Sequence, residues 1–62
     1  MNEKVSKIFY RKAAELQQYI SAGRIPNNIK YQLAIRNIRD YNDGIAILDN
    51  IFSKYNINEE RR

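Results

Sequence analysis

The chain has 62 residues, no cysteine, no histidine and no tryptophan, and a net charge of +4 with a sequence pI near 9.6. That length holds one small domain, and without cysteine or histidine neither disulfides nor a zinc site can staple it, so helix packing or self-association must supply stability. A hydrophobic share of 44% argues for a folded chain; no apolar run approaches a membrane span of about 18 residues and Met1-Asn2-Glu3-Lys4 opens without a secretory apolar region, so a cytoplasmic protein is expected.

The first helix is predicted over about 3–22. Asn2 is its expected N-cap, with Glu3 at the positive end of the helix dipole. Val5, Phe9, Ala13, Leu16 and Ile20 recur at steps of three and four and so share one face. The opposite face carries Lys4, Lys7 and Arg11, with Tyr10 beside them. A solvated outer face is the simpler reading of these cations; a contact surface for phosphates, with Tyr10 available for stacking, is the sharper one. Residues 1–30 hold six Lys/Arg against two Glu, while residues 31–62 hold five of each sign, so the positive excess is concentrated early.

Gly23 suits the left-handed position that ends many helices, and Pro26 cannot continue one. Gly23 to Asn27 reads as a tight connection between antiparallel neighbours, with Asn27 or Asn28 capping the next helix.

The second helix is predicted over about 28–56. Tyr31, Ile38, Ile45 and Phe52 are spaced by seven, and Ala34, Tyr41, Leu48 and Tyr55 form a second series at the same spacing. Together they make an apolar and aromatic seam, reinforced by Ile35 and Ile51. Leu33 and Ile47 lie off it and suggest a second contact surface. Asn42-Asp43-Gly44 reads locally as a turn, yet the heptad phase passes through it unshifted. Two readings stand: a continuous or gently kinked helix, which is favoured, and a break at Gly44 that makes a three-helix bundle. A continuous helix would leave Leu48, Ile51, Phe52 and Tyr55 without cover from the first helix. It therefore implies a homodimer, an antiparallel four-helix bundle. The break would close a monomeric core. The segment 57–62 is read as a mobile tail in which Ile57 can pack back.

The expected fold is thus all-α, a helical hairpin with a long second helix. No catalytic constellation is present, because the commonest general base, metal ligand and reactive nucleophile are all missing. No enzyme activity, cofactor, metal or small-molecule substrate is expected. Asp40 and Asp43 are read as surface ion-pair partners of Arg36 and Arg39. Leu48-Asp49-x-Ile51-Phe52-x-x-Tyr55 resembles the helix motif of sporulation-type aspartyl-phosphate phosphatases. Ile45-Ala46-Ile47 replaces the Ser-Gln-Glu of that motif, so no function carries over.

Two functions follow. The first is a protein-interaction module, a regulator or adaptor that docks Tyr31, Leu33, Ile38, Tyr41, Ile45, Ile47, Leu48, Ile51, Phe52 and Tyr55 on a larger protein. The second is nucleic-acid binding through Lys4, Lys7, Tyr10, Arg11, Arg36 and Arg39. Its architecture would resemble the plasmid RNA-binding hairpin dimers of the Rop kind.

Overall fold

The computed structural model describes residues 4–57, of which 72% are helical, with no strand among them. Helix α1 spans Val5–Ser21, α2 spans Ile29–Arg36 and α3 spans Tyr41–Lys54. The expected cap Asn2 lies outside the described residues. Lys4 occupies the N-cap position of α1, and its side chain makes no capping hydrogen bond.

The continuous helix over 28–56 does not form, and the break is not at Gly44. The chain leaves helical geometry at Asn37 and re-enters it at Tyr41. Asp40 is the start signal: its carboxylate accepts the Asp43 backbone N–H at 2.8 Å, satisfying one of the unpaired donors of the first turn. Asn42, Asp43 and Gly44 therefore belong to the opening turn of α3, where the Asp43 charge also suits the helix dipole. Asn28 caps α2 in a related way, its side chain accepting the Lys30 N–H at 2.9 Å.

Helix α3 folds back onto α1. Phe9 sits beside Gly44, Lys12 pairs with Asp49 at 3.0 Å, and the Tyr19 ring meets Phe52 edge-on with centroids 5.6 Å apart. Residue numbers rise together in these pairs, so α1 and α3 run in the same direction. Helix α2 runs the other way against α3, with Ile38 near Gly44 and Tyr31 near Tyr55. The hairpin expected of α1 and α2 is not a close one: no Cα of α1 lies within 8 Å of one in α2. The connection explains the gap, since Ile25 turns inward and is buried between the elements. A hydrogen bond from Gln17 Nε2 to Gln32 Oε1, 3.1 Å, spans it from side chain to side chain.

The core consists of Phe9, Leu16, Ile25, Leu48, Ile51, Phe52 and Ile57. Burying each such side chain contributes roughly 1.5–3 kcal/mol by area, an upper figure because unfolded chains already bury some surface. Leu48, Ile51 and Phe52 are thus covered within the chain, and the premise for a homodimer, their exposure, is not met.

Helices α1 and α3 end alike. Gly23, at φ +79°, follows α1; its N–H reaches the Ile20 carbonyl while the Arg24 N–H reaches Tyr19. Asn56, at φ +59°, follows α3; its N–H reaches Ser53 while the Ile57 N–H reaches Phe52 at 2.8 Å. Both are Schellman motifs, in which a left-handed residue lets two further N–H groups satisfy the last carbonyls. The accompanying side-chain contact is apolar in α3, where Ile57 and Phe52 share the core. In α1 it is a cation on a ring, Arg24 over Tyr19 at 5.6 Å. Ile57 is accordingly not part of a mobile tail, and the rest of that tail lies outside the described residues.

Candidate interaction surface

Helix α2 buries no residue fully. Tyr31, Ala34, Ile35 and Ile38 turn toward the core and are half-buried, whereas Ile29 and Leu33 face outward, 67% and 48% exposed. They are four residues apart and so adjacent on the surface. Sequence reading singled out Leu33 but missed Ile29, which it counted only as the first turn of a longer helix.

Beside α2, two depressions on α3 meet at Ile47. One is lined by Asn37, Ile38, Arg39, Asp43, Ala46 and Ile47, the other by Tyr31, Ile47, Asn50, Ile51 and Lys54. Along α3 the lining residues recur at helical spacing, so the two make one groove along α3, bordered by Tyr31 of α2 and by residues 37–39 that follow it. From Asp43 to Lys54 it is about 16 Å long at 1.5 Å per residue. Its floor is apolar, and its charged rim is Arg39, Asp43 and Lys54. Ala46 is exposed and Ile47 half-buried. Ala46, Asn50 and Lys54 were not singled out from sequence; their spacing of four residues from one to the next, which puts them on one helix face beside Ile47, was the available signal.

The predicted interface residues therefore divide. Leu48, Ile51 and Phe52 are core, although Ile51 still edges the groove. Ile45 packs half-buried against that core. Tyr31 and Tyr55 join hydroxyl to hydroxyl at 2.8 Å. That bond raises the Tyr55 phenol above its ordinary pKa, aided by partial desolvation and the charge of Tyr31 and opposed by Lys54. Leu33, Ile38 and Ile47 remain at the surface or its edge.

Tyr41 leaves the seam for a cluster at the N-terminal ends of α1 and α3. Its ring packs on Phe9 and Tyr10, with both centroids 5.6 Å away, and its hydroxyl meets that of Tyr10 at 3.2 Å. The bond, and then the charge Tyr41 would carry, raise the Tyr10 phenol above its ordinary value. Tyr10 is 58% exposed.

Lys4, Lys7 and Arg11 are exposed along α1 near this pair. Lys4 and Lys7 stand at the positive end of their helix dipole, which disfavours them locally. Arg36 and Arg39 are also exposed, but no contact among the described residues joins them to the α1 cations. Nor do they pair with Asp40 or Asp43: the Asp40 carboxylate is used as a cap instead, which removes the surface ion pairs expected from sequence.

No group of three or more potential metal ligands occurs among the described residues, and no helix there is long and apolar enough to cross a membrane. Comparison of the chain with protein-family models, with curated proteins and with solved structures finds no match to any.

Proposed function

We propose that this chain is a protein-interaction module, a small regulator or adaptor that docks a larger partner on the α2–α3 face. The observation that carries the reading is the apolar groove around Ile47; Ile29 and Leu33, turned outward on α2, add exposed apolar surface. Ile29 and Leu33 take no part in the core, so their exposure is not a by-product of an open core. A large apolar group held in water gains most when a partner covers it.

The test is affinity capture from the cells that make the protein, using wild type and an Ala46→Glu, Leu33→Asp variant. Both positions are exposed, so circular dichroism should be unchanged. A protein retained by wild type and lost with the variant supports the reading. Capture indifferent to the substitutions removes this face from consideration.

A second reading, nucleic-acid binding, draws on Lys4 and Lys7 at the unfavourable end of α1 beside the exposed Tyr10–Tyr41 pair. Local rules broken without structural gain tend to mark function. Binding to single-stranded RNA that weakens steeply with salt and is lost with Lys4→Glu, Lys7→Glu would favour it.

A further inference from the structure

We infer that the α2–α3 groove seats an acidic amphipathic helix of the partner, about three turns long. This rests on the docking reading above and names the chemistry of the occupant.

Shape sets the length. The groove runs from Asp43 to Lys54 along α3, walled on the other side by Tyr31 of α2 and Ile38 of the segment that follows it. An apolar trough running along a helix offers the ordinary seat for another helix, whose apolar stripe would lie over Ile38, Ala46 and Ile47.

Charge sets the sign. Residues 16–39, which include the whole of α2, contain no Asp or Glu. Arg24, Lys30, Arg36 and Arg39 are the charged residues of that stretch, and all four are exposed. Among the described residues no carboxylate pairs with Lys30, Arg36, Arg39 or Lys54. Arg39 stands at one end of the groove and Lys54 at the other, while the single carboxylate of the lining, Asp43, lies in the first turn of α3, where the helix dipole partly offsets it. Carboxylates flanking the apolar stripe of an incoming helix would find a cation at each end of the groove.

Charge and shape together disfavour a second copy of this chain as the occupant. A two-fold pairing of the groove with itself sets the Arg39 end of one copy against the Lys54 end of the other with only Asp43 to offset the two cations, and two concave troughs leave the apolar floor unfilled. Like charges brought together across an interface oppose association.

The experiment uses the full chain, isotope-labelled, and three stapled helical peptides of equal length. One carries Leu at heptad a and d positions with Glu elsewhere. The second carries the same Leu stripe with Lys elsewhere, and the third has Ser in place of Leu with Glu retained. Amide resonances of Arg39, Ala46, Ile47, Asn50 and Lys54 should move saturably with the Leu/Glu peptide. The Leu/Lys and Ser/Glu peptides should bind at least about tenfold more weakly. The Arg39→Glu, Lys54→Glu variant should reverse the order of the two Leu peptides. Equal or stronger binding of the Leu/Lys peptide at these amides would overturn the acidic occupant and leave the docking groove standing. Equal binding of the Ser/Glu peptide would overturn it in favour of bare charge attraction. Shifts confined to other surfaces, or none, would remove both the occupant and the groove.

Discussion

The ring of Phe9 occupies the space into which a side chain at position 44 would grow. A Cβ built on Gly44 would lie 2.5 Å from Phe9 Cε1 and 3.0 Å from Ile38 Cδ1. Glycine is required here by close approach, in a helix whose intrinsic preference is against it. Gly44→Ala should gain up to about 1 kcal/mol of helix propensity and lose about 1–3 kcal/mol to overpacking, because the buried Phe9 ring must shift to make room. The expected net outcome is a lower Tm, by roughly 4–8 °C per kcal/mol in a domain of this size. Adding Phe9→Leu should make the alanine less costly than it is alone, as a double-mutant cycle will read directly. A Gly44→Ala protein more stable than wild type would contradict this packing.

Asp40 decides where α3 begins. Asp40→Ala should cost about 1 kcal/mol in urea unfolding by releasing the Asp43 N–H, while Asp40→Asn should retain most of the stability, since the amide oxygen can accept the same bond. Equal losses for both variants would show that the carboxylate acts through its charge and not as a cap.

The two left-handed residues respond in opposite senses to substitution. Gly23→Ala meets no atom within 4 Å, so its cost of about 1 kcal/mol is purely that of a side chain at positive φ. Asn56→Gly removes the same penalty and should raise stability by a few tenths to about 1 kcal/mol. Thermal unfolding of the pair, measured side by side, checks both signs.

The tyrosine pairs couple stability to alkaline pH. Tyr10 and Tyr55 have folded pKa values raised by their hydroxyl bonds to Tyr41 and Tyr31. A raised folded value means a contribution fully present below the unfolded pKa of about 10, lost as pH climbs through the folded value. Ultraviolet titration should therefore show two late-ionising phenols. Tyr41→Phe should return Tyr10 to ordinary behaviour, and Tyr31→Phe should do the same for Tyr55. Unchanged titration in either variant would break the assigned cause.

The helical class and the first helix were legible because Phe9, Ala13, Leu16 and Ile20 keep one face throughout. The break was misplaced for a definite reason. Residues 37–40 replace about one turn of helix, so the sevenfold count from Tyr31 through Ile38 and Ile45 to Phe52 never slips, although the chain reverses between them. Periodicity counts residues and is blind to a loop whose length matches the helical repeat. Gly44 then attracted the turn, when its glycine answers to Phe9, a residue far away in sequence. The start of α3 was written more quietly, in Asp40 three residues before Asp43. The groove was not legible because it depends on α2 and α3 lying side by side, which a continuous helix forbids.

The absence of any fully buried residue in α2 also bears on how the molecule fluctuates. Its backbone amides are held only by one short helix and a half-buried stripe, whereas those of α1 and α3 are protected by the shared core. Hydrogen exchange in α2 should proceed through a local opening far less costly than global unfolding, while amides around Leu16 and Leu48 should exchange only when the whole domain unfolds. One wall of the groove is thus the segment that opens first. A partner that seats there would have to suppress that opening, and slower exchange in α2 would report its arrival even where it makes no direct contact with the amides being watched.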